Sequence, residues 1–350
     1  MVAVSASASF ATRLVQWQRL HGRHDLPWQG SRDPYRVWLS EIMLQQTQVA
    51  TVKAYFARFL QRFPDVASLA RGSEDDVLGL WSGLGYYSRA RNLHRCAQAI
   101  VQQHGGVFPQ DAATLAELPG IGRSTAAAIA ALCFSERVAI LDANVRRVVT
   151  RVQGFAGDLA QAAQERMLWT LASELLPGPA AAAADMAAYT QGMMDLGALL
   201  CSPRRPQCSQ CPVAGVCRAQ ADGNPEQFPV RTRKLKRSSL SLYLLQAQTR
   251  QGEVFLVRRP NQGIWAGLFC LPVFADEAAL RAALPAAARR QLQLQPAFLH
   301  VLTHRDLHLH AGRLLLPEAA ALDLPGQWVS AQEWPGLGLP APVRKLLQQG

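Results

Sequence analysis

Leu118-Pro-Gly-Ile-Gly-Arg-Ser-Thr-Ala-Ala127 is the stretch that decides the fold. An apolar, helix-competent run from Ala112 to Leu118 stops at Pro119, two glycines follow, and a helix of small residues is expected from Arg123 to about Phe134. Gly120 and Gly122 permit positive φ and put no Cβ between the backbone and a ligand. Because the turn opens a new helix, free N–H groups and the positive dipole end point outward together, a seat for a phosphate. Alone, Pro-Gly-x-Gly is equally an ordinary αα-hairpin with a glycine turn.

The rest of the chain narrows the choice. Its 350 residues are long enough for two domains, each with a core. The 36 Lys and Arg against 25 Asp and Glu give a net charge of +11, which suits a polyanion partner, nucleic acid first. No apolar run approaches a membrane span. Met1 to Ala11, rich in Ser and Ala, lacks the basic and apolar regions of a signal peptide and reads as a frayed start. Four of seven cysteines fall in Cys201-x6-Cys208-x2-Cys211-x5-Cys217, a pattern for metal in a reducing compartment. Four thiolates hold zinc or a [4Fe–4S] cluster, and spacing alone does not choose.

Upstream of the hairpin, helices are expected from Phe10 to Leu20, from Pro34, from Val52 to Phe63, from Pro64-Asp65 and from Leu93 to His104. Downstream they are expected from Gln164 to Leu176 and from Met186 to Leu200, with Pro177 to Asp185 an Ala/Pro loop. Glu41 lies between apolar or neutral neighbours, its nearest charges being Arg36 and Lys53. Burial would raise its pKa and let it hold a proton as a general acid. Asp142 fits an N-cap, where N–H groups and the helix dipole favour the anion. One protonated and one charged carboxyl are the pair that glycosidic cleavage uses.

After a polar, basic stretch from Glu226 to Ser239 the period changes to that of strands, at Leu240 to Ala247 and Val254 to Val257 around a Gln251-Gly252 turn. Arg231, Arg233, Lys234, Lys236 and Arg237 make this stretch either a solvated linker or a track along a DNA backbone. His300-Val-Leu-Thr-His-Arg-Asp-Leu-His-Leu-His310 reads as an alternating strand with exposed histidines more readily than as a metal site.

Trp38-Leu-Ser-Glu-Ile-Met-Leu-Gln-Gln-Thr-Gln-Val49, Gly83-Leu-Gly-Tyr-Tyr87 with its following Arg-Ala-Arg-Asn-Leu-His, the hairpin, Ile140-Leu-Asp142 and the cysteine spacing occur in order. Together they resemble the MutY family of adenine DNA glycosylases, in the helix-hairpin-helix superfamily, over residues 10 to 220. The stretch after 239 resembles that family's Nudix-like domain. The resemblance implies a mainly α helix-hairpin-helix glycosylase domain with a [4Fe–4S] loop over 1–225, a basic linker over 226–238, and a smaller α/β Nudix-like domain over 239–350. Ala279 to Arg290 has no Glu-Glu pair for magnesium, so pyrophosphate hydrolysis is not expected.

By the same resemblance Glu41 protonates adenine and Asp142 stabilises the sugar cation. Trp28 and Gln191 lie near the extruded base, although Gln29 departs from an arginine found in some relatives. Gln46 and Tyr86 enter the DNA stack. Gly120, Gly122, Arg123, Ser124 and Thr125 of the hairpin, with Asn144, touch DNA. Thr303 and His304 stand where a Ser-His pair checks 8-oxoguanine, with Leu302 in place of a phenylalanine. Cys201, Cys208, Cys211 and Cys217 hold the cluster. Endonuclease III-like lyases place a lysine where this chain has Ser124, and a hydroxyl forms no Schiff base. Arg146 stands near another family lysine and stays protonated. The expected enzyme is a DNA N-glycosylase that hydrolyses adenine from A:8-oxoguanine or A:G mispairs in double-stranded DNA, without efficient lyase activity. It is expected to be a monomer at the cytoplasmic nucleoid, with no membrane partner. The competing readings are an endonuclease III-like glycosylase/lyase for oxidised pyrimidines and a catalytically silent iron–sulfur DNA-binding module.

Overall fold

The computed structural model describes residues 9–232, 237–319 and 322–349. Residues 1–8 of the expected frayed start therefore lie outside the described residues, as do Arg233, Lys234 and Lys236 of the basic stretch. Phe10 and Ala11 are not frayed: they open a helix and are buried. The chain forms two compact units. One holds residues 1–56, 65–70 and 95–234; the other holds 57–64, 71–94 and 235–350.

The first unit is helical, and short polar side chains set where its helices begin. Ser9, Asp33, Asp111 and Asp142 each accept an N–H from the first turn of the helices Phe10–His21, Pro34–Leu44, Ala112–Glu117 and Ala143–Gln153. Each bond satisfies a donor that the helix geometry leaves open. Pro34 takes the first helical position of its helix, where a missing N–H costs nothing. The core runs through Leu14, Ile140, Val145, Val149, Leu168, Met186 and Met193. It gathers the helices Phe10–His21, Arg123–Phe134, Ala143–Gln153, Ala162–Glu174 and Pro179–Leu199.

The expected Ala/Pro loop over 177–185 is corrected here: helix begins at Pro179 and runs unbroken to Leu199. Proline is at home in the first turn, and the alanines after it are the strongest helix formers. Arg19 ties Asp185 of that stretch at 2.7 Å to the helix Phe10–His21. The extra turns carry weight, because this helix presents Gln191 and packs on Ala143–Gln153.

The second unit is built on an eight-stranded mixed sheet. Its strands are β1 (Ser238–Thr249), β2 (Val254–Arg258), β3 (Phe269–Cys270), β4 (Val273–Phe274), β5 (Gln293–Leu294), β6 (Phe298–Val301), β7 (Arg305–Leu316) and β8 (Gln327–Val329). β1 and β7 run parallel through twelve residue pairs, from Ser238↔Arg305 to Thr249↔Leu316. The other pairings are antiparallel. Alternation along the strands gives the sheet two apolar faces. Leu244, Leu256, Leu307 and Leu309 pack with Val343 and Leu347 of the helix Ala341–Gln349. Leu245, Phe255 and Leu314 pack with Leu280, Leu284 and Ala288, which lie on or beside the helices Glu277–Ala282 and Ala286–Gln291. β6 and β7 form a hairpin whose turn is Leu302-Thr303-His304, so the histidine-rich stretch is a strand pair. Residues 71–94 belong to this unit: Arg258 pairs with Asp75 at 2.8 Å, and Arg91 donates to the Ala266 carbonyl at 2.7 Å.

Gly197 shows how tightly the first unit packs. A Cβ there would stand 2.8 Å from the Asn144 Cβ. Gly197→Ala is expected to lower unfolding stability by about 1–3 kcal/mol through this overlap, read from urea denaturation. Unchanged stability would show that the two helices separate freely.

Candidate active site

The hairpin forms as a turn between the helices Ala112–Glu117 and Arg123–Phe134. Gly120 takes φ +78°, whereas Gly122 is extended at φ −85°. A side chain at Gly122 would meet nothing within 4 Å, and no side chain caps the helix that follows. Its first N–H groups are therefore presented from an open surface. Arg123 lays its guanidinium on the Trp169 ring, 3.9 Å from the centroid.

Behind the hairpin, within the helical unit, lies a cavity of about 890 Å³. That is room for a nucleoside and part of its backbone. Glu41 and Asp142 both line it, and so do Trp28, Gln46 and Gln191. Ser124, Thr125 and Asn144 line the same cavity. Residues more than 150 positions apart in the sequence thus share one space.

Glu41 reaches the cavity from the helix Pro34–Leu44, which is also buried through Trp38, Leu39 and Met43. Loss of water raises its pKa from 4.5 to about 7, and the negative charge of Asp142 adds to the rise. Asp142 lines the same cavity as an N-cap, its Oδ1 accepting the Val145 N–H at 2.7 Å. The residue before it is fixed from two sides. Ser124 Oγ accepts the Leu141 N–H at 2.9 Å, and Arg146 Nε donates to the Leu141 carbonyl at 3.2 Å. Arg146 also pairs with Glu165. Trp28 packs edge-on against Phe56, with 5.3 Å between ring centroids. Gln29 Nε2, at the rim, is a buried donor without a partner.

Two residues expected from the sequence to contact DNA meet in the second unit. The Tyr86 hydroxyl lies 2.6 Å from Thr303 Oγ1, and Tyr86 is exposed. Tyr86 and Gln46 both take left-handed backbone conformations, at φ 49° and 56°. Such a conformation costs a residue with a Cβ about 1–2 kcal/mol. His304 sits beside Thr303 in the turn and accepts the Ser238 N–H on its carbonyl at 3.2 Å. Arg237 of the basic stretch is engaged within the protein: it pairs with Asp306 and donates to the Leu302 carbonyl at 3.1 Å. In the helical unit, Thr232 is likewise engaged, its hydroxyl bonded to the Asp158 carboxylate.

The four cysteines of the 201–217 loop line a second, apolar cavity. Among the described residues no three His, Cys, Asp or Glu side chains converge closely enough to share a single metal ion. Four cysteine thiols lining one apolar space are the donor set that a four-iron cluster takes, and equally that of a tetrahedral zinc. Burial, with the neighbouring cysteines adding to it, holds the Cys208, Cys211 and Cys217 thiols up, Cys211 to about 11. The thiolates therefore form with the cations they bind.

Two buried arginines, one helical turn apart, are not singled out by their sequence setting. Arg147 donates to the Cys201 and Gly197 carbonyls and to Asn144 Oδ1, each at 2.7–2.8 Å. Arg151 donates to Cys201 Sγ at 3.3 Å and to the Ser202, Pro203 and Phe228 carbonyls. Their i, i+4 spacing among the valines of this helix is the available signal. Asp195 is also unassigned by sequence, although it lies four residues beyond Gln191 on the same helix.

The chain is similar to known proteins. Residues 39–174 match the HhH-GPD superfamily of base excision DNA repair proteins. Residues 201–217 match the iron–sulfur binding domain of endonuclease III, and residues 243–349 match the NUDIX domain. The adenine DNA glycosylase of Buchnera aphidicola from Acyrthosiphon pisum is 34% identical over 97% of both chains. The human adenine DNA glycosylase is 36% identical over 77% of this chain and 58% of its own length. Among solved structures, a thermostable thymine-DNA glycosylase superposes with a TM-score of 0.53 at 27% identity, covering 61% of this chain and 95% of its own. The cysteine loop holds a [4Fe–4S] cluster.

Arg151→Met removes the donor that gathers the Ser202, Pro203 and Phe228 carbonyls and touches Cys201 Sγ. Loss of these part-buried hydrogen bonds costs about 0.5–1.5 kcal/mol each. Iron per chain and the visible absorbance of the cluster are expected to fall. Full iron content in this variant would show that the cysteines alone hold the loop.

Proposed function

This chain belongs to the adenine DNA glycosylase family of base excision repair, and on that premise we propose that it releases adenine opposite 8-oxoguanine or guanine, by hydrolysis alone and as a monomer. The observation that carries this reading is a pair of carboxyls in one cavity, one of which titrates near neutral pH. The adenine leaves the helix for the cavity, a step made easier by weak pairing at a mispair. Protonated Glu41 gives its proton to a ring nitrogen of adenine as the glycosidic bond breaks. The bonding electrons leave with the base, and the sugar carbon gains positive charge. Asp142 faces that charge across the cavity. Water adds to the sugar carbon, and the proton it sheds restores Glu41. Trp28 and Gln191 hold the base.

Ser124 supports hydrolysis without strand cleavage. It has no amine, and its oxygen is engaged with Leu141. Arg146, paired with Glu165, offers no neutral amine either. The uncapped helix at Arg123, with Gly120 and Gly122, seats a DNA phosphate. Thr125 and Asn144 contact the strand. Gln46 and Tyr86 enter the stack, and their strained backbones support that role. Thr303 and His304, with Tyr86 bonded to Thr303, form the surface that reads 8-oxoguanine. Functionally the chain divides into glycosylase, linker and lesion-reading parts over 1–225, 226–238 and 239–350. The cluster, when bound by Cys201, Cys208, Cys211 and Cys217, ties their loop together and takes no part in base release.

The test is single-turnover cleavage of a duplex with adenine opposite 8-oxoguanine, with and without alkali. Strand breaks are expected only after alkali; breaks without it would contradict hydrolysis alone. The rate is expected to fall as pH rises through about 7, because the acid form of Glu41 is lost. Glu41→Gln is expected to keep DNA binding and lower base release at least about 100-fold. Base release retained in that variant would remove Glu41 from the role of acid.

A further inference from the structure

Asp195 has no exposed side-chain surface and lies one turn from Gln191 on the helix Pro179–Leu199. Its Oδ2 accepts the Arg23 backbone N–H at 2.9 Å. Its Oδ1 accepts Arg23 Nε at 2.7 Å and Gln191 Nε2 at 2.8 Å. Gly22 permits the approach: a Cβ there would lie 3.0 Å from Asp195 Oδ2 and 2.5 Å from the Gln18 carbonyl. A buried carboxylate with three donors and a paired cation is a fixed point.

An ionised carboxylate only accepts hydrogen bonds. The NH₂ end of the Gln191 amide must therefore face Asp195, since the reversed amide would set two acceptor oxygens against each other at 2.8 Å. Gln191 Oε1 is the end left for the cavity that Gln191 lines. A glutamine free to turn would read donors and acceptors alike; this one is held as an acceptor.

We propose that Asp195 is a positioning residue for base specificity. It holds Gln191 as an acceptor, so that the cavity favours a base with an amino group and rejects one with a carbonyl at the same ring position. The proposal rests on the reading of the cavity as the seat of the extruded adenine. Adenine presents its exocyclic amine to Oε1. Hypoxanthine has the same ring system with an oxygen in place of that amine, and it sets oxygen against oxygen. Sites built around one hydrogen-bond sense reject the opposite sense strongly, because buried groups are left unpaired.

The experiment compares single-turnover release of adenine and of hypoxanthine from otherwise identical duplexes, in the full chain with its cluster. The wild-type ratio is expected to favour adenine, and Asp195→Asn, which lets the Gln191 amide turn, is expected to lower that ratio about tenfold. Gln191→Met keeps the length and removes the amide; it is expected to lower the ratio equally. Asp195→Asn added to Gln191→Met should then change the ratio no further. A purely structural role for Asp195 would slow both bases alike and leave the ratio intact, and that result overturns the proposal. If Asp195→Asn does not fold, a wild-type ratio in Gln191→Met overturns it. Absence of adenine release by the wild-type chain overturns the reading of the cavity itself, and the proposal with it.

Discussion

The carboxyl of Glu41 stands in partly buried surroundings, with a second carboxyl in the same cavity. Neither condition is free. A carboxyl moved from 4.5 to about 7 holds its proton in the folded state at pH values where the unfolded chain has lost it. Folding stability therefore drops as pH rises through that window, by about 3 kcal/mol once both values are passed. The same displacement leaves a proton available near neutral pH. The core around Leu14, Val145, Leu168 and Met193 carries the cost.

Asp142 is held by a chain of contacts that reaches well beyond the cavity. Ser124 and Arg146 fix Leu141, the Val145 N–H fixes Asp142, and Arg147 joins Asn144 to Gly197 and to the Cys201 carbonyl. The helix Ala143–Gln153 thus has the carboxylate at its start and the cysteine loop along its later turns. Arg151, on the next turn, takes up three carbonyls of the chain around that loop. The cysteine loop that holds the cluster is in this way joined through one helix to a carboxyl that lines the cavity.

Local chemistry makes much of this legible in the sequence. The hairpin, the cap at Asp142 and the apolar setting of Glu41 are properties of neighbouring residues, and the helices follow from their caps and prolines. The resemblance supplies which residues share a cavity, something no spacing could reveal. What stays hidden depends on partners far along the chain. Asp195 looks like one acidic residue on a helix until Arg23, 172 positions away, is beside it. Ser124 reads as a missing lysine, whereas its oxygen holds Leu141. The Ala/Pro stretch reads as a loop when proline is taken as a breaker, whereas here Pro179 starts a helix. The twelve-residue parallel pairing of β1 with β7 joins strands more than 50 residues apart, beyond the reach of turn signals.

The most direct test of the account is the titration of Glu41 itself, followed by ¹³C NMR of its labelled carboxyl in the wild-type chain and in Asp142→Asn. The account predicts a midpoint near 7 in the wild type and a lower one in the variant, since one of the two causes of the rise has been removed. A wild-type midpoint in the ordinary carboxylate range would contradict it, because Glu41 would then hold no proton to give at neutral pH.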